Sequence, residues 1–200
     1  MLHTLVTPSD IEIIQRGGLV IFPTETLYGL GCVVTDEAAL RRLFAVKGRA
    51  PGQPPPILVA DDQQLGLLVE QVPASAAQFI TAHWPGALTL VLPARRNLSP
   101  LLTGVSAQGG ATVGVRRSAH PVAQALCEAV GLPLVATSAN RSGAGGAEAT
   151  PHAIDDIALS LRDAVDVIID GGAVSGQPST VVDCTCDPPR VLRQGALRIG

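Results

Sequence analysis

Lys47 is the one lysine in a chain that writes every other cationic side chain as arginine, and it stands two residues before Arg49. A compact ammonium kept against that background suits a point contact with an anion, where arginine's planar fork is not required. Four other places bring a hydroxyl or a cation into glycine-rich sequence: Thr24 with Thr26, Arg116, Ser138 with Asn140, and Ser179 with Thr180. Hydroxyls, backbone amides, one lysine and several arginines form a set suited to phosphate and carboxylate recognition. Catalysis with such a set works by positioning and charge neutralisation rather than by proton shuttling. A residue as polar as Lys47 is not expected in the core, so Lys47→Ala is expected to leave the fold intact.

Other chemistries find little support. The four cysteines (Cys32, Cys127, Cys184, Cys186) and four histidines (His3, His83, His120, His152) form no metal-ligand spacing, and Cys184 and Cys186 are one residue too close for a zinc knuckle. The Walker pattern and the Gly-x-Ser-x-Gly elbow are both absent. A net charge of −3 argues against indiscriminate nucleic-acid binding, and 2% aromatic residues leave no stacking platform for single strands. A small anionic ligand fits the local clusters of arginine better. No apolar run reaches the length of a membrane span and the first residues lack signal-peptide character, so the expected location is the cytoplasm.

The elements that must position these residues alternate between strand and helix. The 46% hydrophobic fraction can fill a large core, and 200 residues without repeat or linker predict a single domain, 1–200. Helices are expected over 11–16 (capped by Ser9 or Asp10), from Asp36 to a Gly48 cap, and over 63–69, 74–83, 121–130 and 151–161. Strands are expected over 19–22, 57–59, 87–92, 112–115, 134–136, 165–169, 179–183 and 190–193. Residues 24–31 and 93–110 read as loops. The class is α/β, a twisted mixed sheet with flanking helices, because several connections are too short for a helical crossover. Ligands of such sheets gather at strand ends, so one pocket collecting all the chemistry-bearing loops is expected.

In order along the chain, Pro23-Thr24-Glu25-Thr26-Leu27-Tyr28-Gly29-Leu30-Gly31, Lys47-Gly48-Arg49, Ser138-Ala139-Asn140-Arg141-Ser142-Gly143, Ser179-Thr180-Val181-Val182-Asp183 and Arg193-Gln194-Gly195 resemble the YrdC-like family of threonylcarbamoyl-AMP synthases. The resemblance covers nearly the whole chain. It implies the YrdC-like (DHBP synthase-like) fold in its short form. The implied reaction makes L-threonylcarbamoyl-adenylate and pyrophosphate from L-threonine, bicarbonate or CO2, and ATP carrying Mg²⁺. The product is handed on for N6-threonylcarbamoyladenosine modification of tRNA.

Residue by residue, the resemblance implies Thr24, Arg116 and Ser179 on threonine, and Lys47, Arg49, Thr112, Ser138, Asn140 and Arg193 at the nucleotide. Lys47 and Arg49 would be catalytic by neutralising phosphate charge, and no resident metal is implied. The departures are Ala50-Pro51 after Lys-x-Arg, and Gln53 and Leu58 where some members place Asn and His. No ligand role is assigned to the glycine-rich 144–150. The alternative reading is a double-stranded RNA or tRNA-binding module of the same fold without synthase activity; weak tRNA contact is compatible with either.

Overall fold

Thr7 opens the first long element through a capping box: its hydroxyl accepts from the Asp10 amide while the Asp10 carboxylate accepts from the Thr7 amide, and Pro8 occupies the first turn. Helix α1 therefore runs Pro8–Gln15, starting before the expected boundary. The computed structural model describes residues 2–3, 5–50, 52–145 and 149–199. Its further helices are α2 (Glu37–Lys47), α3 (Asp62–Leu68), α4 (Ala74–His83), α5 (Pro121–Val130) and the single turn α6 (Leu159–Arg162). The strands are β1 (Leu2–His3), β2 (Val20–Pro23), β3 (Tyr28–Gly31), β4 (Ile57–Leu58), β5 (Leu88–Pro93) and β6 (Gly104–Val105). They continue with β7 (Ala111–Arg116), β8 (Leu134–Val135), β9 (Thr137–Ser138), β10 (Val167–Ile169), β11 (Thr180–Asp183) and β12 (Arg190–Arg193).

The strands form two sheets where one was expected. The first runs β1-β10-β2-β3-β9; the second runs β12-β11-β5-β7-β4-β8, with β6 paired to β7. Both mix directions: β10 lies parallel to β2 and β2 antiparallel to β3, while β5 lies parallel to β11 and antiparallel to β7. β8 belongs to one sheet and β9 to the other, so 134–138 carries the chain across the join. Tyr28, Leu30, Leu40, Leu43, Ile57, Leu88 and Leu90 share the larger apolar cluster, and Ile14, Phe22, Leu58, Leu126 and Leu134 the smaller. Burial of these apolar surfaces is the main driving force for the fold.

Two expectations are corrected. Residues 28–31 are strand, not loop: β3 pairs antiparallel with β2 in the register Ile21 to Leu30. Its glycines conceal it, and at Gly31 the reason is packing, since a Cβ there would stand 2.2 Å from the Val135 carbonyl oxygen. The helix expected over 151–161 is broken into a 3₁₀ turn (Ile154–Asp156) and α6. Ile154, Ile157 and Leu161 are buried at a helix-like spacing, but the Asp156 carboxylate takes the His152 and Ala153 amides and diverts the backbone into a local turn. Within the expected loop 93–110, the short β6 pairs with β7. No described helix is long and apolar enough to cross a membrane.

Candidate active site

Helix α2 delivers Lys47 and Arg49 to one place because both its ends are fixed by sequence. Asp36 accepts from the Ala38 and Ala39 amides, and Gly48 closes the helix in the left-handed region at φ 64°. Lys47, the last helical residue, lies where the carbonyl end of the helix dipole favours a cation. It is nevertheless 3% exposed, which overturns the expectation that so polar a residue would stay out of the core. Its Nζ donates to Ser138 O at 2.6 Å, Asn140 O at 2.9 Å and Asn140 Oδ1 at 2.7 Å. Three donors meet three acceptors, so the ammonium is saturated by the 138–140 loop.

Burial, with Arg49 nearby, pushes the Lys47 ammonium down to about 7; the three oxygens it serves pull the other way, toward the charged form. The same joint is closed by Ser142, whose amide donates to Lys47 O. Asn140 completes it, accepting from Ser138 Oγ at 2.7 Å and donating from Nδ2 to Ala149 O at 3.1 Å.

Beside this joint is a cavity of about 300 Å³ between the two sheets. The turn 24–27 and the start of β3 give Thr24, Thr26, Leu27, Tyr28 and Gly29, and the adjoining β9 gives Thr137 and Ser138; Arg49, Pro56, Leu58, Arg116, Ser179 and Arg193 complete the lining. Of the expected site residues, Thr24, Arg49, Arg116, Ser138, Ser179 and Arg193 line it. Lys47 and Asn140 do not; they lie behind Ser138. Thr112 does not either: it is buried between Pro93 of β5 and Gly104 of β6. It lies four residues before Arg116, about 13 Å along an extended strand. Residues 146–148 of the glycine-rich 144–150 lie outside the described residues.

Three arginines converge on the cavity, and none of the described residues that line it is acidic. Arg49 donates from Nη1 to Thr137 Oγ1 at 3.1 Å and to the carbonyls of Gln53 and Pro54. Arg193 donates to Ser179 O at 2.8 Å and Ser179 Oγ at 3.3 Å, and Ser179 Oγ in turn meets Thr89 Oγ1 at 2.9 Å. Arg116 reaches Thr26 Oγ1 at 3.0 Å and pairs with Glu25 at 2.6 Å. Burial lowers all three guanidinium groups from their ordinary value, opposed for Arg116 by Glu25 and reinforced for Arg193 by Arg116; arginine remains charged regardless. Thr24 is spent on its own turn, donating to Leu27 O at 2.7 Å and accepting from the Thr26 and Leu27 amides.

Sequence reasoning missed Thr137 and Glu25 as working parts, and gave Thr26, singled out together with Thr24, no role of its own. Thr137 abuts the Ser-Ala-Asn stretch and Thr26 stands beside Thr24, so adjacency was a usable signal for both. Glu25 had none, because its partners Arg116 and Ser118 are remote in sequence.

A strand-end cavity with three arginines and a ring of hydroxyls defines a site for anionic substrates on a mixed α/β fold. The family model described as "telomere recombination", which covers the Sua5, YciO and YrdC proteins, matches residues 12–195, and the chain belongs to that family. It is 41% identical over 185 residues to the threonylcarbamoyl-AMP synthase of Pyrococcus abyssi, covering 92% of this chain and 52% of that protein. The chain thus spans about half the length of the curated relatives it matches. The crystal structure of P. abyssi Sua5 complexed with L-threonine superposes with a TM-score of 0.86 at 38% identity, over 98% of this chain and 57% of that one. E. coli YciO superposes with a TM-score of 0.81 at 30% identity, over 97% and 93%.

Proposed function

We propose that this chain is an L-threonylcarbamoyladenylate synthase. The observation that carries the proposal is the convergence of Arg49, Arg116 and Arg193 on one hydroxyl-ringed cavity. It is supported by the P. abyssi relative, named a threonylcarbamoyl-AMP synthase, and by the structure of that organism's Sua5 with L-threonine. In this reading Arg116 takes the threonine carboxylate, with Thr24 holding the turn beside it and Ser179 on the same side. Arg49, Ser138 and Arg193 take the nucleotide. Lys47 and Asn140 act through the 138–140 loop, and Thr112 through the packing of β7.

Threonine's amine gives up a proton and adds to CO2, forming a carbamate anion. A carbamate oxygen attacks the α-phosphorus of ATP, and the bond to pyrophosphate breaks. Attacker and target are both anionic, so the cationic lining has to lower their repulsion and stabilise the leaving group. In this reading Mg²⁺ enters as part of the nucleotide substrate, held by the phosphates. The acyl adenylate then passes to the tRNA-modifying step in the cytoplasm. The gathering of three arginines in one concave site favours this reading over an RNA-binding module, which works through a broad basic face.

The test is pyrophosphate release from ATP, Mg²⁺ and bicarbonate. Release is expected with threonine and much less with serine. Release without threonine, or none with it, overturns the proposal.

A further inference from the structure

Arg116 differs from the other two cavity arginines in having a carboxylate partner. Arg49 is held by Thr137 Oγ1 and two carbonyls, and Arg193 by Ser179, all uncharged. Arg116 meets Glu25 Oε2 at 2.6 Å, and its side chain is 8% exposed. Glu25 does not line the cavity; it stands behind the guanidinium, in the turn between β2 and β3.

Several contacts fix Glu25 there. Ser118 Oγ donates to the same Oε2 and is itself held by accepting from the His120 amide at 3.2 Å. Gly176 presses on the turn from outside: a Cβ there would stand 2.1 Å from the Glu25 carbonyl oxygen. Burial raises the Glu25 carboxyl, but Arg116 and Ser118 outweigh it and hold it below its ordinary value, so it is ionised at neutral pH. Glu25 Oε1 and Arg116 Nε are buried without a hydrogen-bond partner. Buried polar groups of this kind call for an explanation, and a ligand at the cavity is one. Arg116 and Arg193 also feel one another's charge, so distance alone does not keep a phosphate off Arg116.

We propose that Glu25 is a specificity-determining residue: it makes the Arg116 end of the cavity electrically neutral, reserving that end for a zwitterionic amino acid and leaving phosphate to Arg49 and Arg193. This rests on the reading of the cavity as a site for an amino acid and a nucleotide. A neutral Arg–Glu pair still offers the directed donors that a carboxylate needs. It lacks the net field that would draw a polyanion, which a bare buried guanidinium would supply. A zwitterion carries its own balancing ammonium and loses little from the presence of Glu25. A plain carboxylate or a pyrophosphate loses much.

The experiment measures threonine binding by calorimetry, with and without saturating pyrophosphate, alongside 3-hydroxybutyrate, which keeps threonine's carboxylate and hydroxyl but not its amine. In the wild type, pyrophosphate should leave the threonine Kd within about twofold, and 3-hydroxybutyrate should bind at least about tenfold more weakly than threonine. In Glu25→Gln, pyrophosphate should compete, raising the apparent threonine Kd about tenfold, and the preference for threonine over 3-hydroxybutyrate should shrink at least about fivefold. Glu25→Asp should restore both preferences. Should Glu25→Gln fail to fold, the wild type still decides: competition by pyrophosphate there overturns the inference. Glu25→Gln behaving as the wild type also overturns it, while leaving the synthase reading intact. A wild type that binds no threonine overturns both.

Discussion

Replacing Lys47 by methionine keeps the length of the side chain and removes its three donors, which separates two ways for a cation to matter. If Lys47 acts through the 138–140 loop, the change must cost stability as well as activity. Of its three acceptors, Ser138 O keeps the Asn140 amide and Asn140 Oδ1 keeps the Ser138 hydroxyl. Asn140 O is the acceptor left most exposed to loss. A buried acceptor stripped of its donor costs about 1–3 kcal/mol, and weakening the two shared acceptors adds a smaller amount, for a total of about 2–3 kcal/mol. Relief from burying an ammonium offsets part of this and keeps the sum from going higher. For about 200 residues each kcal/mol moves Tm by about 2–4 °C, so a fall of about 4–12 °C is expected. Thermal unfolding followed by circular dichroism reads it. Pyrophosphate release should be lost, because Ser138 no longer has a fixed place. Threonine affinity should change less than about threefold, since the Arg116 end does not touch this joint. A variant that melts with the wild type yet is inactive would refute the reasoning: Lys47 would then act on the ligand itself.

Gly176→Ala places a methyl against the Glu25 carbonyl. A loss of about 1–3 kcal/mol from overpacking is expected, with weaker threonine binding; a urea midpoint equal to the wild type's would show that the segment yields freely. Thr137→Val keeps shape but takes away the hydroxyl that accepts from Arg49. KM for ATP should rise about tenfold, as for a lost hydrogen bond to a charged group, and unaltered kinetics would assign Arg49's orientation to the Gln53 and Pro54 carbonyls alone. Burial first, and neighbouring acidic groups second, push the thiols of Cys32 and Cys127 up to about 12 and that of Cys184 up to about 11, from 9.0. The unfolded chain therefore sheds these protons first, so this contribution to stability is whole below pH 9 and is lost as pH climbs through the folded values. Urea midpoints should fall between pH 9 and 11, and a flat profile would count against buried neutral thiols.

Where a residue's task is settled by near neighbours, the sequence was readable. Asp36 and Gly48 bracket α2, Pro121 opens α5, and the strand at 190–193 sits where its pattern put it. β3 escaped because Gly29 and Gly31 weaken a strand signal, while at Gly31 the missing Cβ is what admits the Val135 carbonyl and the Phe22 ring. Residues 151–161 misled because buried positions at a helical spacing need no continuous helix once an Asp side chain competes for the amides. In the cavity, Arg49, Arg116 and Arg193 could be named from local motifs. That Lys47 would turn inward, and that Arg116 would be matched by Glu25, depend on loop closure between distant segments, which local pattern does not encode. Lys47 shows the limit most plainly: its rarity marked it, but rarity says nothing about which way a side chain faces.

The inward turn of Lys47 also sets how the folded protein meets reagents. Acetylating agents, succinimidyl esters and amine cross-linkers find no lysine on its surface, because the one ε-amino group in the sequence is enclosed between a helix end and a loop. Acylation at that position requires the joint to part, so the rate of label uptake, followed by mass spectrometry, times a local opening without any engineered probe. A nucleotide that clamps the loop should slow this clock, and threonine alone should leave it running.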